Sequence, residues 1–282
     1  MKRLKLSWEA LRISARLLRE HRSLRGLAAL SAAAWIGALV VVFGPVYYLA
    51  FAQDEGWLLP LAAIVGAYPL TFMSVFFGVA MVRAAVMAEA GRQPSTRDAL
   101  GEAWERRRQI AAWALLSAGV GVVLEQIVSR IPFAGRVTAW LAGAAWSLAT
   151  LFAVPILALE GCSATECARR SARTFRERWG EGIVGSVSIA ACLIVPAMVG
   201  GMLIGFGAGA GADSVAALVA LGAGLLLLAA VSTAGAVMRN LFSLVLYRYA
   251  TTGSASLGFE QLRIEEAMKL KPARPRWLPG RG

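Results

Sequence analysis

The most constraining feature of this chain is a series of long apolar runs without charge. Leu27–Phe51, Trp57–Val82, Val137–Leu159, Ile183–Phe206 and Val215–Met238 are each such a run, and Ile110–Val128 is interrupted only by Glu125 near its end. Roughly 20 residues at about 1.5 Å each cross the hydrocarbon layer of a bilayer, so each run is long enough to span. In lipid the backbone must satisfy its own hydrogen bonds, which makes the runs helices rather than open sheet. The expected fold is all-α: a polytopic membrane protein of six transmembrane helices with amphipathic interfacial helices on the cytoplasmic side. Residues 1–26 form an amphipathic N-terminal helix, 27–250 the transmembrane domain and 251–282 a cytoplasmic tail whose Pro/Arg-rich end reads as disordered.

The net charge of +12 raises the question of a nucleic-acid partner. Position answers it: 27 of the 29 Lys and Arg residues fall in the terminal segments or in alternate loops, and only Arg130 and Arg136 lie elsewhere. The positive-inside rule makes that charged side the cytoplasm, with both termini inside. The basicity therefore reports topology, and no nucleic acid is expected. The excess of arginine over lysine, with abundant Ala and Gly, points to a bacterial source and hence to a bacterial plasma membrane. Ala50-Phe51-Ala52 looks like a signal-peptidase site, but the apolar run before it is too long for a signal peptide, so it is read as the first span. Cys162, Cys167 and Cys192 lie in a cytoplasmic loop or within a helix, where a disulfide is not expected.

The helices group as three hairpins, each preceded by a basic cytoplasmic segment. Ser95-Thr-Arg-Asp98 and Ser163-Ala-Thr-Glu166 both have the form of a capping box, and each follows a glycine, Gly91 or Gly161, suited to ending a helix. In the second of these segments Ala164, Ala168, Ser171, Ala172 and Trp179 share a helical face with Phe175. Arg169, Arg170, Arg173 and Arg176 take the opposite face, with Glu166–Arg170 and Arg173–Glu177 at i,i+4 spacing. Arg178 lies near the apolar face, where its stem can snorkel. The expectation is a surface helix anchored by Phe175 and Trp179, whose Arg169, Arg170, Arg173, Arg176 and Arg178 contact anionic lipid headgroups. Gly180 and Glu181 form the elbow into the fifth span.

Catalytic and metal chemistry find no constellation. His21 has no partners at ligand spacing, Cys162 and Cys167 lack a C-x-x-C arrangement, and no nucleophile has a base; no cofactor is expected. Gly205-Phe-Gly-Ala-Gly-Ala-Gly211 lacks the strand of a phosphate loop and reads as an outer turn, while Gly201-x-x-x-Gly205 reads as a small-residue packing face. Glu125 is the one ionisable group inside a span. It stands near the outer interface, where Arg130 and Arg136 are the available partners for an ion pair or a polar cavity. Pro45, Pro69, Pro155 and Pro196 each fall in a span and can kink it.

Phe152-Ala-Val-Pro-Ile-Leu-Ala-Leu-Glu-Gly161, Ala168-Arg-Arg-Ser-Ala, Arg178-Trp-Gly-Glu181 and Tyr247-x-Tyr249 together resemble an uncharacterised prokaryotic family of six-helix integral membrane proteins. In that family an Asn commonly follows the Phe-Phe of helix two, where this chain has Gly78. The pattern is more distantly similar to the membrane domains of bacterial glycerophosphodiester phosphodiesterases. The resemblance implies fold and topology but no activity. The expected function is a non-enzymatic multi-pass protein of the plasma membrane that engages lipid headgroups or partner proteins; the alternative is a transporter or channel for a small solute.

Overall fold

The computed structural model describes residues 22–52, 58–130, 134–179, 185–209 and 214–252, and every regular element among them is an α-helix. In chain order these are α1 (Arg22–Ala52), α2 (Leu58–Glu89), α3 (Thr96–Glu105), α4 (Arg107–Arg130), α5 (Ala134–Ala149), α6 (Ala153–Glu160), α7 (Ala164–Trp179), α8 (Gly185–Gly209) and α9 (Val215–Thr252). Among the described residues, three stretches, Val65–Glu89, Leu141–Glu160 and Val215–Thr252, are long and apolar enough to cross a membrane. The runs Leu27–Phe51 and Ile110–Val128 fall within α1 and α4, and the fifth run lies in α8 from Gly185 onward, its first two residues lying outside the described residues. The N-terminal amphipathic segment before Arg22, with His21, and the tail after Thr252 lie outside the described residues.

Local chemistry sets the helix ends. Gly91 and Gly161 adopt φ of 71° and 63°, the left-handed conformation that costs glycine little, and each closes its helix as expected. The Gly161 N–H bonds the Leu157 carbonyl at 3.1 Å. Ser95 is extended, and its hydroxyl accepts the Asp98 N–H at 3.4 Å to start α3.

The fourth expected span is two helices rather than one. Pro155 has no N–H to give the Leu151 carbonyl, and its ring crowds that carbonyl. The helix accordingly breaks at Thr150–Phe152 and restarts so that Pro155 falls in the first turn of α6. Pro45, Pro69 and Pro196 instead remain inside α1, α2 and α8.

The core collects at the basic end of the bundle. Leu24 and Leu27 of α1, Val79 and Val82 of α2, Ile110 of α4, Phe152, Ile156 and Leu157 around α6, and Leu241, Leu244 and Val245 of α9 are all buried there. Toward the other end, Val41, Val65, Val195, Met202, Val219 and Leu226 are more than half exposed. Such surface suits lipid, which solvates an apolar side chain as well as another helix does.

Helices α8 and α9 pack through glycine, but one register away from the expectation. Gly201 and Gly205 face open space. Gly200, Gly207 and Gly224 make the contact: a Cβ at Gly207 would stand 2.7 Å from the Ala217 carbonyl, and one at Gly224 2.8 Å from the Gly200 carbonyl. Spacing alone could not tell which glycine of the run would turn toward its neighbour.

Candidate functional site

Helix α7 is the amphipathic helix that the arginine pattern predicts, and its apolar face has a protein partner. Ala164, Cys167 and Ser171 are buried, and Ala168 and Phe175 pack half-buried against the core formed by α4 and α6. Phe175, expected as a membrane anchor, packs one side against this core and stays partly exposed on the other.

The break before α6 explains Ser171. Breaking a helix frees backbone N–H groups, and a buried N–H without a partner costs about 1–3 kcal/mol. The Phe152 N–H donates to the Ser171 hydroxyl at 3.0 Å, and both residues are fully buried. One side chain of α7 therefore caps the interrupted span, and the serine of the Arg-Arg-Ser-Ala motif has a structural task.

Glu160, the last residue of α6, ties three helices together. The Arg170 guanidinium of α7 donates to one carboxylate oxygen, and the Tyr247 hydroxyl of α9 donates to the other. The Tyr247 ring also lies 6.2 Å from that of Phe152. Arg170 bonds Glu166 at 2.6 Å as well, and Arg169 bonds the same carboxylate at 2.5 Å. Those two contacts, Arg170 first, hold the Glu166 carboxyl below the usual carboxylate range. The expected Glu166–Arg170 pair is present; no ion pair joins Arg173 to Glu177 among the described residues.

Two further pairs extend the lacing. Arg83 of α2 meets Glu102 of α3, and Arg248 of α9 meets Glu89 of α2 at 2.9 Å. The ends of α2, α3, α6, α7 and α9 are thereby joined by side-chain contacts on one side of the molecule. Both oxygens of Glu160 are engaged, so Glu160 fastens three helices, whereas the buried Glu89 oxygens make no hydrogen bond among the described residues despite Arg248 at 2.9 Å. Cys162 and Cys167, between α6 and α7, form a disulfide that the sequence reading did not expect. The compartment argument behind that reading says nothing of geometry: the start of α7 between the two residues brings their Cα atoms to 5.8 Å, within bonding range.

Arg169, Arg173 and Arg176 point away from the packed face and are exposed, Arg169 with 74% of its side chain free. Arg22, Arg25, Arg92, Arg97, Arg107 and Arg108 are likewise exposed at this end. Trp179 ends α7, but its side chain and that of Arg178, with all of Gly180 and Glu181, lie outside the described residues. Glu125 and Arg130 belong to α4 and Arg136 to α5; their side chains too lie outside the described residues. No group of three or more His, Cys, Asp or Glu side chains suited to a metal occurs among the described residues.

A family model, DUF6159, described as a family of unknown function, matches residues 60–258. No curated protein and no solved structure matches the chain.

Proposed function

The chain belongs to DUF6159, and from that premise we propose that it is a non-enzymatic multi-pass protein of the bacterial plasma membrane. In this reading it crosses the membrane six times, with both termini and the arginine-bearing face of α7 on the cytoplasmic side. That face engages anionic lipid headgroups or the acidic surface of a partner protein. The observation that carries the proposal is the division of α7: its small apolar residues are spent on the bundle, while Arg169, Arg173 and Arg176 stay exposed at the basic end. The engagement of Glu89, Glu102, Glu160 and Glu166 in ion pairs supports a scaffold over a catalyst. The likeness of the motifs to membrane domains attached to lipid-cleaving enzymes fits a lipid-facing role.

Basic residues near an anionic leaflet contribute about 1 kcal/mol each, so replacing Arg169, Arg173 and Arg176 by Gln should weaken phosphatidylglycerol binding about a hundredfold. Native mass spectrometry of the protein released from mixed-lipid nanodiscs reads this directly. Loss of retained phosphatidylglycerol with phosphatidylethanolamine unchanged is the expected result. Equal retention by the variant refutes headgroup engagement through this face.

A further inference from the structure

A small polar cavity lies among α1, α2 and α9, in the membrane-crossing part of the molecule and away from the arginine face. Its volume is about 20 Å³, and a water molecule needs roughly 10–15 Å³ measured in this way. Ser31, Ser74, Ser232, Thr233 and Asn240 bring their side chains to its wall. Asn240 is 7% exposed and Ser31 8%, so neither reaches bulk solvent to any extent. Among the described residues, neither the Asn240 amide nor any of these four hydroxyls has a hydrogen-bond partner in the protein.

Hydroxyls on membrane helices have an easy alternative, which is to bond the carbonyl one turn back. Thr71 and Thr150 do so, at 2.6 and 2.7 Å. The four hydroxyls around the cavity do not, and a primary amide left unbonded in an apolar bundle is costly. Ser232 also reaches the surface, but the buried Ser31 and Asn240, with Ser74 and Thr233 beside them, call for a guest that can both donate and accept. No charged side chain lines the cavity, so nothing there compensates an ion.

We propose that this cavity is a binding site for a small uncharged hydrogen-bonding guest, with water as its resident occupant, bridging Asn240 of α9 to Ser31 of α1 and Ser74 of α2. Gly78 keeps the site open. A Cβ there would stand 3.0 Å from the Asn240 amide nitrogen and 3.3 Å from Val154, so any side chain would press on the amide from the α2 side.

Hydroxyl-radical footprinting by X-ray radiolysis of the full chain in nanodiscs tests the site, because radicals form from bound water and label its neighbours. Met81 lines the cavity and is 3% exposed, whereas Met238 is 6% exposed and does not line it. Met81 should oxidise several-fold faster than Met238 despite its deeper burial. Asn240→Leu and Gly78→Val should each bring Met81 down to the rate of Met238 while Met238 holds its own rate. Equal rates for the two methionines in the unaltered protein overturn the proposal, and so does a Met81 rate that Asn240→Leu leaves unchanged. Where a variant raises Met238 as well, its packing has loosened, and the comparison within the unaltered protein decides. A Met81 rate that changes when sodium is exchanged for choline overturns the uncharged guest.

Discussion

Ser171 and Glu160 show how single polar residues can hold a broken span in place. Removing the Ser171 hydroxyl takes away the acceptor 3.0 Å from the buried Phe152 N–H, so Ser171→Ala should cost about 1–3 kcal/mol. Chemical unfolding in mild detergent measures it, and an unchanged midpoint would mean that the N–H finds another acceptor. Gly161→Ala forces a Cβ into φ of 63° and should cost about 1 kcal/mol in the same assay. Ser171 was legible in the sequence only as a small residue on the apolar face of its helix. What it caps is a backbone group 19 residues earlier, and no local pattern shows that pairing. Gly78 is similar: the family resemblance drew attention to the amide missing there, and the amide beside it comes from Asn240 on α9.

At the scale of elements, α7 was read correctly as an amphipathic helix because 3.6-residue periodicity is a local property. Its packing partner was not legible, since an apolar face of Ala, Ser and Phe fits a protein groove as well as a lipid surface. Helix ends fared well where glycine set them, as at Gly91 and Gly161. The fourth span holds as an apolar stretch long enough to cross a membrane but is interrupted at Thr150–Phe152, because a proline inside an apolar run can kink a helix or restart it. Acid should loosen α7. The lowered Glu166 pKa means that this carboxylate stabilises the helix fully above its ordinary titration range and loses that contribution as pH falls through its lowered value. Thermal unfolding followed from neutral to acid pH should therefore show a step that Glu166→Gln removes; a step that persists assigns the acid response to another carboxylate. Reduction of the Cys162–Cys167 disulfide should cost about 2 kcal/mol, the value for a short loop. The thermal midpoint with and without reductant reads that loss.

For the whole molecule, apolar length made an all-helical fold with helices able to cross a membrane legible from the sequence, since that length follows from the bilayer as solvent. Function was less legible because a basic loop reports topology and headgroup contact with the same residues. The structure narrows this by showing that Arg83, Arg169, Arg170 and Arg248 pair with carboxylates, and that Arg173 and Arg176 face outward. The proposed function requires the arginine face of α7 and the acidic pair Asp54 and Glu55 to lie on opposite sides of the membrane. A chain carrying Cys162→Ser, Cys167→Ser and Cys192→Ala presents no thiol, so single cysteines can be added at Arg173 or Asp54 and exposed to an impermeant maleimide. Asp54→Cys should label in intact spheroplasts and Arg173→Cys only in inverted vesicles. Labelling of both from the same side would contradict the topology and, with it, the assignment of the arginine face to the cytoplasmic leaflet.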